Sequence, residues 1–167
     1  MENTHHLPDQ VQGLSELLLQ APCAVLGRLT SPTKALVALT KAIESQGSVL
    51  ILTRESEDGA IEADLSFLAK TLYPTHNVLV ESFPSWEVLP FEKGSASADI
   101  VGSRFKKLAA LKAYQGPSVI LVTLGAFLQK VVPPEVLDKL MLPLNTGQTV
   151  DFETLVDLLR EDMGYQE

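Results

Sequence analysis

A chain of 167 residues with 46% hydrophobic and 20% charged side chains suits one folded domain with a real core, and excludes disorder along the whole length. Its 21 acidic and 13 basic side chains give a net charge of −8, with six acids and one base, Arg160, falling from Asp151 onward. That balance argues against nonspecific attraction to a nucleic-acid backbone, which depends on Lys and Arg displacing counterions.

Residues 1–20 read as an N-terminal helical segment, and residues 1–12 lack the charged, continuously apolar pattern of a signal peptide. No apolar run approaches the roughly 18 residues of a membrane span, so a cytoplasmic protein is expected. The apolar run 23–27 predicts a first strand, in which the single cysteine, Cys23, is a small core residue with neither a disulfide partner nor a cysteine zinc set. Ser31 is the expected N-cap of the helix that follows, with Pro32 at its first position and Leu36, Leu39 and Ile43 on one face. Gly47 is expected to stop this helix before a strand over 49–53 that is buried on both faces.

Ile61, Leu65, Leu68 and Leu72 recur at helical spacing until Pro74, and 77–80 reads as a third strand. The stretch 81–95 is rich in breakers and is expected to be an ordered loop with its aromatics packed down. Ile100, Val101, Phe105, Leu108 and Leu111 then mark one face of a helix, with Arg104, Lys106, Lys107 and Lys112 mostly elsewhere. Gly116 and Pro117 precede a fourth strand over 119–122, and Thr123 caps a short helix through Leu128. Pro133 and Pro134 interrupt, 136–140 suggests another helical turn, 141–144 a last apolar run and 145–149 a turn. An acidic amphipathic helix is expected over 151–162, with Phe152, Leu155, Val156, Leu158 and Leu159 on its apolar side. Alternation of this kind specifies an α/β fold with a mainly parallel sheet and helices on both faces.

The turn from the first strand into the first helix is where a phosphate loop belongs. A working loop needs glycines whose N–H groups wrap phosphate, a Lys reaching the β and γ groups, and a Ser or Thr holding magnesium. Gly27, Thr30, Ser31, Thr33 and Lys34 are the candidate cofactor residues. Pro32, however, removes a donor, Thr33 replaces the glycine before the lysine, and Ala35 stands where the magnesium ligand belongs. Lys34 alone cannot supply these functions, so hydrolysis is not expected of the chain, and no cofactor is.

His5, His6 and His76 have no Cys, Asp or Glu at ligand spacing, so no metal site is expected. No Ser sits in a Gly-x-Ser-x-Gly elbow, and the acids Glu55, Glu57 and Asp58 after the second strand read as a solvated charge run without a catalytic role. No catalytic residue is assigned.

The segment Phe83-Pro84-Ser85-Trp86-Glu87-Val88-Leu89-Pro90-Phe91-Glu92, followed by Asp99, Ile100 and Arg104, resembles the Trp-Glu-x-Leu-Pro-aromatic-acid and Asp-Ile-x-x-x-Arg pattern of bacterial transcription-repair coupling factors. The residues 119–133 look like that family's next strand and helix, and 144–165 like the start of its next domain. Trp86, Glu87, Leu89, Pro90, Phe91, Asp99, Ile100 and Arg104 carry the resemblance, which covers about residues 21–165. It implies a degenerate RecA-like domain over 21–144, of P-loop ATPase ancestry and related to the first domain of the excinuclease B subunit. Residues 145–167 would then open a following domain that contacts the excinuclease A subunit.

The implied role is a noncatalytic interaction and autoregulatory scaffold. ATP and magnesium would serve the family's separate motor, and RNA polymerase and DNA would be met by regions outside this chain. The alternatives from the same residues are a divergent P-loop ATPase or kinase using Lys34, and an excinuclease B-like repair subunit. An excinuclease B subunit would keep an intact loop and an aromatic hairpin, both of which are missing.

Overall fold

The computed structural model describes residues 27–86, 88, 96–140, 145–157 and 159–160. The chain divides into two compact units, one through Lys130 and one from Val131. The first strand expected over 23–27, the helical segment over 1–20 and the apolar run 141–144, with the domain boundary expected at its end, lie outside the described residues.

In the first unit the order is α1 (Ser31–Ser45), β1 (Ser48–Thr53), α2 (Glu55–Leu72), β2 (Leu79–Phe83), α3 (Ala98–Ala113), β3 (Ser118–Thr123) and α4 (Leu124–Leu128). The strands form an all-parallel sheet in the order β1-β3-β2, with Val49 beside Val119 and Val80 beside the same residue from the other side. The α/β class read from the sequence is the one observed.

Period-2 alternation assigns the two faces. Val119 and Leu121 of the central strand, fully buried, join Leu39, Ala42, Ile61 and Leu65 from α1 and α2, with Val49, Ile51 and Val80 packed alongside. On the opposite face Val122, Phe83 and Ala126 form a smaller core with Leu108 and Ile120, so α3 and α4 cover that side. The cover is incomplete at β1: Leu50 and Leu52 are 50% and 53% exposed, on a sheet type that is ordinarily buried on both faces.

Several expected boundaries are corrected. Ser31 is the first helical residue and Thr30 the N-cap, extended at φ −75° and ψ 164°. The helix stop falls on Gln46, not Gly47. Gln46 adopts the left-handed conformation at φ 49°, and the Gln46 and Gly47 N–H groups bond to the carbonyls of Ile43 and Ala42. The Gln46 amide also donates to the Ile43 carbonyl at 2.7 Å, a local compensation that a glycine cannot make.

The strand expected over 77–80 is displaced to Leu79–Phe83, taking in Glu81 and Ser82, which read as loop because they are polar. Each has a partner on a flanking helix: Glu81 accepts from the Lys107 ammonium at 2.7 Å, and Ser82 donates to the Asp58 carboxylate at 2.9 Å. Glu57 and Asp58 of the acidic run belong to the first turn of α2, where negative charge is favoured by the helix dipole.

Thr123 caps α4 as expected, its hydroxyl accepting from Ala126 N–H at 3.2 Å. The second unit holds α5 (Pro134–Lys139) and α6 (Phe152–Asp157). Asp151 caps α6, accepting from the Thr154 N–H and hydroxyl at 2.9 and 2.7 Å, and those bonds hold its carboxyl below the usual range. On the expected apolar side of α6, Leu155 and Val156 are half-buried while Phe152 is exposed.

Among the described residues no helix is long and apolar enough to cross a membrane, and no group of three or more His, Cys, Asp or Glu converges.

Candidate functional site

The first turn of α1 lies beside the end of β1 and α2: Lys34 lines a cavity with Thr53, Arg54 and Glu57, and Ser31 bonds to Asp64. In the loop before α1 the left-handed residue is Arg28, at φ 57°, whereas a Cβ added at Gly27 would meet nothing within 4 Å. No protein atom crowds Gly27, and the conformation a glycine would favour is taken by Arg28 instead.

Several polar side chains at the start of α1 have partners within the protein. Thr30 and Thr33 hydroxyls pair at 2.9 Å. Ser31 donates to the Asp64 carboxylate at 2.5 Å, and the Lys34 ammonium donates to Glu57 at 2.7 Å. Ala35 is fully buried in the main core, so the position of a magnesium-holding hydroxyl is a packing position. The residues present do not fit nucleotide with magnesium: one donor is missing at Pro32, the hydroxyl ligand is missing at Ala35, and the lysine is paired.

The Lys34–Glu57 pair is a surface one, with side chains 36% and 42% exposed, and pairs of that kind contribute little to stability. The Lys34 hydrogen bond and charge nevertheless hold the Glu57 carboxyl below the usual glutamate value. The sign follows from linkage: a depressed folded-state pKa adds stability above the unfolded value, lost as pH falls through the folded one. Carboxyl ¹³C titration should therefore give Glu57 a midpoint below an ordinary glutamate, and Lys34→Ala should return it upward. A midpoint unmoved by Lys34→Ala would show that the pair does not persist in solution.

Lys34 and Glu57 also line a cavity of about 470 Å³ with Thr53, Arg54, Leu52 and Leu124. A larger hollow of about 590 Å³, lined by Tyr73, His76, Lys70 and Tyr114 among others, lies at the amino end of β2, away from the loop.

The second constellation gathers around Arg104. The sequence pattern placed this residue off the apolar face of α3, but it is the most buried residue of the helix, 2% exposed. Its guanidinium carbon stacks 4.5 Å from the ring centre of Phe83 and 4.2 Å from that of Trp86. One terminal nitrogen donates to the Pro84 carbonyl at 2.6 Å and to Gln129 Oε1 at 3.2 Å, and the other to the Lys130 carbonyl at 3.4 Å. All these acceptors are neutral, and burial lowers the guanidinium pKa from its ordinary value while an arginine stays charged.

Gln129, which sequence reasoning did not single out, closes the arrangement by accepting also from Trp86 N–H at 2.9 Å. The exit of β2, the middle of α3 and the exit of α4 are thus tied through one cation. Of the other motif residues, Asp99 is exposed in the first turn of α3 and Ile100 is half-buried, its N–H bonded to the Ser97 cap at 3.3 Å. Glu87, Leu89, Pro90 and Phe91 lie outside the described residues. Two of the eight residues, Trp86 and Arg104, meet directly, and their meeting is structural in kind.

Comparison with known proteins finds similarity to the transcription-repair-coupling factors of Mycobacterium bovis and Mycobacterium tuberculosis. Each is 32% identical over 143 residues, taking in 74% of this chain. The chain spans 11% of the length of these relatives. No family model matches, and no solved structure does.

Proposed function

We propose, from the premise that this chain is a relative of transcription-repair coupling factors, that it serves transcription-coupled DNA repair as a noncatalytic interaction and autoregulatory module. The observation that carries the noncatalytic part is the loop: Lys34 is bound to Glu57, and Ala35 is packed in the core where a metal-holding hydroxyl belongs.

The partners of this reading are the excinuclease A subunit and the remainder of a longer coupling factor. ATP and magnesium would be used by a motor elsewhere in that protein, which would also meet RNA polymerase and DNA. What this chain contributes, among its described residues, is a parallel sheet in which Leu50 and Leu52 of β1 are half-exposed, and a segment after β2 held by Arg104. Both are surfaces for protein contact, and neither offers chemistry to a substrate.

Equilibrium binding of labelled ATP to the purified chain, with and without magnesium, tests the reading together with a pull-down by excinuclease A subunit. The expected result is no saturable nucleotide binding and retention of the chain on the subunit. Magnesium-dependent saturable binding, or ATP hydrolysis, would replace the scaffold by a divergent ATPase.

A further inference from the structure

The cavity beside Lys34 has three charged residues in its lining: the cations Lys34 and Arg54, and the acid Glu57, whose carboxylate sits 2.7 Å from the lysine ammonium. The neighbouring acid Asp58 is otherwise engaged, one oxygen accepting from Thr53 at 3.1 Å and the other from Ser82 at 2.9 Å. Among the described lining residues, removing the charge of Glu57 therefore leaves two cations and no anion. We infer that the Glu57 carboxylate stands in the place that a polyphosphate oxygen would take beside Lys34, so that the loop is closed by an internal contact as well as by its lost ligands.

This inference rests on the noncatalytic reading above and adds the residue that occupies the anion position beside Lys34. The contact is of a kind that one substitution can open. The pair is partly exposed and weak, and Glu57 belongs to α2, not to the loop, so its replacement leaves the loop backbone and the Ser31–Asp64 bond in place. An anion entering the variant meets Lys34 and Arg54 together, at the mouth of a partly apolar cavity where opposite charges are less screened than in open solvent.

The test is calorimetric titration of the whole chain with sodium tripolyphosphate at low ionic strength. It compares wild type, Glu57→Gln and Glu57→Gln with Lys34→Ala, and circular dichroism checks that each is folded. Wild type should give no saturable heat. Glu57→Gln should bind about fivefold more tightly than the wild-type limit, the upper end of what releasing one surface ion pair gives, and Lys34→Ala should abolish the gain. Saturable binding by wild type would overturn both this inference and the noncatalytic reading. A folded Glu57→Gln that fails to bind, or binds without Lys34, overturns the inference alone. Glu57→Ala offers a second variant if the glutamine protein does not fold.

Discussion

Arg104→Ala is expected to destabilise the first unit by about 3 kcal/mol or more, with a fall in Tm of roughly 10 °C. Arg104 is 2% exposed, and its guanidinium joins three segments through bonds to Pro84, Gln129 and Lys130. Truncation leaves those oxygens short of a donor and opens a hole between the Phe83 and Trp86 rings. A buried group left unsatisfied costs about 1–3 kcal/mol; the acceptors here are part-buried, so the hole and the lost stacking carry much of the loss.

Arg104→Lys should recover less than half of the loss, because a single ammonium cannot reach all the acceptors while lying flat between two rings. The readout is direct. The chain contains one tryptophan, Trp86, which itself bonds to Gln129, so its emission reports the site in the same urea titration that gives the stability. A loss under about 1 kcal/mol for Arg104→Ala would mean that the buried cation is easily replaced by water, and the proposed tie between β2, α3 and α4 would fail.

The same residue shows where the sequence stopped being legible. On α3 an arginine off the apolar stripe reads as solvent-facing, since charged residues are almost never fully buried unless paired. What reverses this is the pair of aromatic faces and three oxygens from Phe83, Trp86, Pro84, Gln129 and Lys130, none of them on the helix. The Trp86-to-Arg104 pattern was visible as a resemblance, but its physical content, a cation over two rings, was not. Gln129 was likewise hidden, because its significance lies in bonding two groups brought together only by the fold.

Features set by short-range chemistry were readable. The run at Ser118–Thr123 is continuous and β-branched, and forms the central strand. Thr123 caps α4, and the defects at Pro32, Thr33 and Ala35 are visible in the loop itself. The partners that complete the loop are distant, Glu57 lying 23 residues from Lys34 and Asp64 lying 33 from Ser31. β2 was displaced for a related reason: the polarity of Glu81 and Ser82 is answered by Lys107 and Asp58, and period counting on one segment cannot anticipate bonds from two others.

The second large effect expected is a contrast between two leucines in neighbouring strands. Leu121 of β3 is fully buried between β1 and β2 in the main core, whereas Leu50 of β1 is 50% exposed on the opposite face. Leu121→Ala should cost about 3 kcal/mol, since it removes three carbons from a packed interior and leaves a cavity. Leu50→Ala should cost about 1 kcal/mol or less, because much of that side chain is already in water.

Urea denaturation of the two variants, read at equal m-value, measures the difference. Parallel strands are normally covered on both faces, and Leu52, Leu124, Phe127 and Leu128 are exposed along with Leu50. If Leu50→Ala instead costs as much as Leu121→Ala, this face is packed in solution, and the half-exposed leucines of β1 invoked for protein contact are not available. A small cost leaves the leucines of β1 where the fold puts them, contributing little to the stability of this chain and free to be buried against a partner.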